Sequence, residues 1–452
     1  MNTLIRQGRI IDPSRGFDAV GDLLIIDGRI AGVEKGSLGD ATTSTSSTDL
    51  ITIDAAGCVV CPGFVDLHCH LREPGYEDKE TIATGANAAV RGGFTTICCM
   101  PNTMPAIDTR ATVEYVLRTA RSAGKARVMP IAAITKQRAG NELTEMAELV
   151  DAGVVGFSDD GKAVANSRVI RHALDYSRMF GRPIIEHCED AGISEGGLMN
   201  EGLVATRLGM PGIPSAAEEI VVARDIALAE LTGGWLHVAH ISTARSVEMV
   251  RQAKAHGLRV TAEVTPHHLV FTEDWVAGYR GQWPRSLPYD TNTKVNPPLR
   301  NERDRQALIQ GLKDGTIDAI ATDHAPHTVV DKLCEYELAP SGISSLETAL
   351  ATLMTLVQND ELPLELLVSK LTFEPARAFN LPWGSLAVGA PADVVVFAPG
   401  EEWTVDKRSF ASKGWNTPLD GLRVKGRVKC TFVGGCLVYD GRNDEGEGSP
   451  GA

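Results

Sequence analysis

The chain has 452 residues, of which 43% are hydrophobic and 23% charged, a length and balance that suit one large α/β domain plus a smaller one. Its formal net charge is -14 and its pI about 5.3, which argues against non-specific binding to nucleic acid or to an anionic membrane. A small anionic substrate stays open, because a local arginine outweighs distant charge.

Residues 1–61 read as short strands with tight turns: 3–12 is strand-like, and 22–30 enters a turn at Asp27-Gly28. Residues 41–49 are rich in Ser and Thr and read as a surface loop without assigned function. From 62 to 382 strands and helices alternate. The strands are predicted at 63–70, 95–100, 128–134, 154–158, 183–187, 235–240, 259–264 and 317–322. Helices fall between them at 78–91, 109–123, 167–180, 216–231, 244–256 and 302–313, several ending in glycine: Gly92, Gly124, Gly181 and Gly257. Eight such units predict a (β/α)8 barrel. A doubly wound open sheet is the alternative, but no glycine-rich phosphate loop follows the first strand. After 382 strand-like texture returns at 389–397 and 424–439. Segments 1–61 and 383–452 are therefore expected to form one small β-sandwich domain bracketing the barrel at 62–382, with 443–452 a polar tail. The nine cysteines are scattered, the N-terminus has no signal-peptide core, and no apolar run reaches membrane-spanning length. These features predict a cytoplasmic setting.

The chemistry centres on residues 64–74. His68 and His70 stand two apart at the end of the first barrel strand, so an extended backbone points both imidazoles one way. Arg72 continues that parity, whereas Cys69 opposes it and reads as a buried thiol. Barrel enzymes place their chemistry at the C-terminal strand ends, and the histidines sort accordingly. His187 and His240 close the fifth and sixth strands, and His327 follows the eighth. His172 and His256 lie in helical stretches and read as surface residues, while the opposite parity of His237 predicts that it faces the helix layer. His267, His268 and His324 read as residues that support ligands or pack loops. The pair Asp159/Asp160 closes the fourth strand and Asp323 the eighth. Four imidazoles and two carboxylates exceed one tetrahedral zinc and suit two zinc ions sharing a bridging carboxylate.

Seven motifs carry a resemblance along nearly the whole chain: His68-Cys69-His70-Leu71-Arg72-Glu73-Pro74-Gly75, Met100-Pro101-Asn102-Thr103, Asp159-Asp160-Gly161, His187-Cys188-Glu189, His240-Ile241-Ser242-Thr243, Val295-Asn296-Pro297-Pro298-Leu299-Arg300 and Ala321-Thr322-Asp323-His324-Ala325-Pro326-His327. In these the chain resembles the type I dihydroorotases of the amidohydrolase superfamily. The resemblance implies two Zn2+ per chain, with His68, His70 and Asp323 on one, His187 and His240 on the other, and Asp160 as bridge. Asp159 is then a bystander at the surface or supporting the site. It also implies that Asp323 is the catalytic proton carrier. Arg72, Asn102 and His327 would hold the substrate carboxylate, Asn296 the ring, and Ser341-Gly342 would offer a backbone contact. His70 would touch the substrate as well. The family usually has phenylalanine where Ser341 stands. The stretch 279–288 looks longer than the usual loop, with no assigned role.

The implied activity is reversible hydrolysis of dihydroorotate to N-carbamoyl-aspartate in pyrimidine (UMP) biosynthesis. The expected partner is this small-molecule substrate; the reading leaves room for a homodimer and for a complex with aspartate carbamoyltransferase. Two alternatives compete: an allantoinase or dihydropyrimidinase, and a silent scaffold for the transferase. The first usually uses a lysine bridge, and the second typically lacks several ligands.

Overall fold

The computed structural model describes residues 2–38 and 50–442; the Ser/Thr-rich stretch 41–49 and the tail 443–452 lie outside them. Strand β1 (Asn2–Asp12) pairs antiparallel with β2 (Phe17–Ile26), which pairs with β3 (Arg29–Lys35). Asp27 and Gly28 join the last two with φ of 49° and 78°, the two-residue turn that an Asp-Gly pair favours. Strands β4 (Leu50–Asp54) and β5 (Val59–Pro62) run parallel to β1.

All eight predicted barrel strands form: β6 (Phe64–Cys69), β7 (Phe94–Cys99), β8 (Arg127–Pro130), β9 (Phe157–Ser158), β10 (Ile184–Glu186), β11 (Leu236–Val238), β12 (Val260–Val264) and β13 (Ala319–Ile320). Their ladders are parallel, in two runs, β6 to β8 and β9 to β13. Bridges Ala132–Phe157 and Cys69–His324 join the runs and close the ring. Such strands are buried on both faces. One set of side chains, including Ile184, Leu236, Val238, Val260 and Ala262, packs under the helices. The other fills the lumen with Val65, Leu67, Ile131, Val155, Ile185 and Ala239, and Phe379 packs against Trp235 and His237. The strands are shorter than predicted where the backbone turns away; His240 and Asp323 take φ of 31° and 44°, outside the extended region.

Helices follow the strands, among them Ile82–Arg91, Arg110–Ala123, Ser167–Arg178, Ala216–Thr232, Ala244–Ala255 and Glu302–Lys313. The first begins at Ile82, four residues later than predicted, because Thr81 and Thr84 form a reciprocal cap. Gly92 stays right-handed at its end, and Gly93 makes the left-handed turn with φ 90°. Among the described residues, no helix is long and apolar enough to cross a membrane.

The chain then returns to its first sheet. Strand β14 (Val394–Thr404) pairs with β5 and with β15 (Arg423–Val433), and β16 (Cys436–Asp440) completes the order β16-β15-β14-β5-β1-β2-β3, with β4 on β1. The strand-like stretch 424–439 is a hairpin, since Gly434 and Gly435 both take positive φ. Ile5, Ile10, Leu23 and Ile25 pack against Val394, Val396 and Phe432 in this sheet's own core.

Candidate metal centre and active-site cavity

Strict alternation along β6 would not bring His68 to the lumen beside Leu67. The β6–β7 register shifts between Asp66 and Cys69. That irregularity lets Leu67 pack in the lumen and Cys69 under the helices, while the His68 ring meets His70 and His240. Asp66 clamps this strand end to β13, accepting from Thr322 N at 2.8 Å and Thr322 Oγ1 at 2.7 Å. His70 N donates to His324 O at 2.8 Å. Arg72 departs from the predicted strand parity: it lies past the strand in a turn with φ 62°, and its Nε donates to Pro326 O at 3.3 Å. Its side chain nevertheless reaches the cavity.

Asp160 and Asp159 separate clearly. Asp159 is buried rather than superficial and accepts from Thr135 N at 3.0 Å and from Thr135 Oγ1. Asp160 turns to the imidazoles. Its Oδ1 lies 3.4 Å from His68 Nε2, 3.7 Å from His187 Nδ1 and 3.6 Å from His240 Nε2, and its Oδ2 lies 3.6 Å from His70 Nε2. Asp323 Oδ1 sits 3.0 Å from His70 Nε2 and 3.6 Å from His68 Nε2. Tetrahedral bonds of about 2.0–2.1 Å place donor atoms about 3.4 Å apart, so these spacings suit cation ligands. Two atoms that face each other in the cluster, His68 Nε2 and Asp160 Oδ1, are buried without a hydrogen-bond partner, which a native interior rarely tolerates. Burial alone would raise the Asp160 pKa, yet the imidazoles of His68, His187 and His240 hold it well below the carboxylate range. Burial likewise opposes protonation of His187, but Asp160 and Glu189 bring it up to about 10. Facing imidazoles and carboxylates at these spacings, with lone pairs left unpaired, suit a divalent metal site.

Residues 57–246 match the family described as Dihydro-orotase-like. The dihydroorotase of Syntrophus aciditrophicus (strain SB) is 48% identical over 439 residues, covering 97% of this chain and 99% of that one. That of Anaeromyxobacter sp. (strain K) is 51% identical over 436 residues, covering 96% and 97%. The chain belongs to the dihydroorotase family. It is accordingly a hydrolase acting on cyclic amides. Among solved structures, the L-hydantoinase (dihydropyrimidinase) of Arthrobacter aurescens matches with TM-score 0.80 at 26% identity, covering 97% of this chain and 96% of that one. The dihydropyrimidinase of Brevibacillus agri NCHU1002 matches with TM-score 0.78 at 22% identity, covering 97% and 95%. Both share the fold, a barrel with a β-sandwich. Identity is near one half with these dihydroorotases and 26% with the Arthrobacter aurescens hydantoinase.

Every residue predicted for a dihydroorotase site except His68 lines one cavity of about 240 Å3. A larger cleft of about 1040 Å3, between 286–292 and 328–335, holds none of the metal-ligand clusters found among the described residues. Asn102 Oδ1 lies 2.9 Å from His70 Nδ1, and Asn296 Nδ2 donates to Glu189 Oε2 at 2.9 Å. His327 Nε2 donates to Ser341 O at 2.9 Å. Burial, then the Arg72 charge, push the His327 pKa down to about 2, so its ring is neutral. No hydrogen bond from the two terminal nitrogens of Arg72, and no carboxylate within ion-pair distance of it, is found among the described residues.

Sequence parity misplaced His237. It faces the lumen, where its Nε2 meets Glu263 Oε2 at 3.1 Å and its ring stacks edge-on to Phe379. Glu263, Asp66 and Glu189 were not singled out as site residues; a buried acid in an apolar strand was the available signal for the first two. His268 bonds Thr265 and Pro297, and His324 bonds Glu80 and Ser345, as loop-packing residues do. His267 is buried with neither ring nitrogen bonded, and His172 and His256 are exposed.

Gly342 forms a tight part of the wall. Its φ is 143°, its N donates to Lys294 O at 2.8 Å, and an added Cβ would lie 2.7 Å from Ala325 Cβ and O and 3.1 Å from His327 Nε2. Gly342→Ala is expected to destabilise the fold by about 1–3 kcal/mol and to raise KM by displacing the wall at Ala325 and His327. Thermal unfolding with steady-state kinetics checks this; unchanged Tm and KM would show that the wall yields freely.

Proposed function

We propose that this cavity catalyses reversible hydrolysis of dihydroorotate to N-carbamoyl-aspartate, the ring-amide step of pyrimidine biosynthesis, with two zinc ions. The observation that carries it is Asp160, whose carboxylate meets both imidazole pairs, His68 with His70 and His187 with His240. In this reading His68, His70 and Asp323 hold one zinc, His187 and His240 the other, and Asp160 bridges. The metals, when bound, supply Lewis acidity that lowers the pKa of water and polarises a ring carbonyl.

The chain's own residues do the rest. Asp323 Oδ1 faces the cavity beside His70 Nε2; it takes the proton of the attacking water and delivers it to the departing ring nitrogen. Arg72 holds the exocyclic carboxylate through its uncommitted terminal nitrogens. His70, Asn102, Asn296, His327, Ser341 and Gly342 surround the ring. A space of about 240 Å3 lies below the usual range for drug-sized ligands, which supports a small substrate. The retained ligand set speaks against the silent scaffold.

Segments 1–61 and 383–452 act in this reading as one bracing domain for the barrel at 62–382; the sheet shared by the first and last strands supports it. All nine cysteines are free thiols, in keeping with a reducing cytoplasm. A homodimer, or a complex with aspartate carbamoyltransferase, would use apolar surface, and the exposed Leu287, Val330, Leu333 and Leu338 offer it.

One experiment tests the function: dihydroorotate, allantoin and dihydrouracil are assayed on one preparation whose metal is counted. The expected result is turnover of dihydroorotate alone, with two zinc ions per chain. Preference for either other substrate, or full activity with one metal or none, sinks the proposal.

A further inference from the structure

The lumen below the metal centre contains a buried polar chain that the proposed reaction does not use. Trp235 Nε1 donates to Thr261 Oγ1 at 3.2 Å, and Thr261 Oγ1 lies 2.8 Å from His237 Nδ1. His237 Nε2 lies 3.1 Å from Glu263 Oε2, and Glu263 Oε1 lies 2.7 Å from His68 Nδ1. His68, His237 and Glu263 are all essentially inaccessible, at 0%, 0% and 1%.

The donors and acceptors order themselves. An indole can only donate, so the Thr261 hydroxyl accepts from Trp235, which leaves its own hydrogen free to go to His237 Nδ1. His237 then carries its hydrogen on Nε2 and donates it to Glu263. The other tautomer would turn a lone pair toward the carboxylate. Glu263 accepts with both oxygens, which places a hydrogen on His68 Nδ1. The Nε2 lone pair of His68 is thereby directed at the cluster, 3.4 Å from Asp160 Oδ1 and 3.6 Å from Asp323 Oδ1. Each buried donor in the chain is used, and its open end is the one ring nitrogen that faces the metal site.

We propose that Glu263 and His237 are a positioning pair for His68, setting its tautomer and ring orientation and thereby the affinity of the metal held by His68, His70 and Asp323. This rests on the metal assignment above. Carboxylates behind ligating imidazoles are worth about 10- to 100-fold in metal affinity. The pair touches neither His187 nor His240 among the described contacts, so the effect falls on one of the two metals.

The test is chelator competition on zinc-loaded, full-length protein, comparing wild type with Glu263→Gln, His237→Phe and His237→Gln. Glu263→Gln keeps the shape but removes the charge, and is expected to weaken one zinc equivalent by about 10- to 100-fold while sparing the other. His237→Phe should weaken the same equivalent. His237→Gln, which restores a donor near Nε2, should recover it. Wild-type affinity in both Glu263→Gln and His237→Phe, or equal loss of both metals, overturns the proposal. Should Glu263→Gln fail to fold, the two His237 variants decide: equal affinities overturn it. Wild-type protein that takes up no zinc would overturn the metal assignment itself, and the pair's role with it.

Discussion

Asp160→Ala is expected to lose its bound metal and to lower kcat/KM for dihydroorotate by on the order of 10⁴-fold, whereas Asp159→Ala is expected to keep the metal content of the wild type. The first figure follows because Asp160 alone faces all four imidazoles. Its removal takes away the carboxylate shared by both ligand sets, and forfeits Lewis-acid stabilisation of several kcal/mol at about 1.36 kcal/mol per decade of rate. Asp159 points elsewhere, to Thr135 N and Oγ1. Its loss strands a buried N–H and is expected to cost about 1–3 kcal/mol of stability, with metal content unchanged. Metal analysis, kinetics and thermal unfolding on both variants check the pair. An active Asp160→Ala beside a dead Asp159→Ala would reverse the assignment.

Arg72→Met is expected to keep the metal content of the wild type and to lower kcat/KM for dihydroorotate by about 10²-fold, while discrimination against dihydrouracil shrinks by a similar factor. Arg72 is partly buried in the cavity wall, tied down through Nε to Pro326 O, with its terminal nitrogens uncommitted among the described residues. A guanidinium so placed offers two parallel donors to a carboxylate. Dihydroorotate carries that group on its ring; dihydrouracil does not. The metals act on the amide and do not read the substituent, so the loss should track the carboxylate. The factor corresponds to about 2.7 kcal/mol, in the range for a charge-assisted contact. The measurement is kcat/KM for both substrates in wild type and variant. An unchanged ratio would make Arg72 structural and remove the physical basis for choosing dihydroorotate.

The sequence by itself determined the architecture and which side chains would meet. Eight apolar extended runs separated by amphipathic helices admit a barrel, and the barrel gathers its C-terminal strand ends. Residues standing at those ends, such as His68, His187, Asp160 and Asp323, were therefore brought together however irregular each strand proved. The Asp27-Gly28 hairpin was equally legible, because positive φ at both positions is a local steric matter.

Direction within the site was decided only by tertiary structure. Parity holds only while the backbone stays extended. It fails at the register shift between Asp66 and Cys69 and at the positive φ of Arg72, His240 and Asp323. Those departures come from strands packed alongside, which no local pattern records. The choice between Asp159 and Asp160 needed the position of Thr135, and the inward turn of His237 needed Glu263 and Phe379. His68 and Glu263 are 195 residues apart, and Asp66 and Thr322 256. A hydrogen bond over such separations exists only once the barrel has closed and buried both groups, since burial is what compels each polar atom to find its partner.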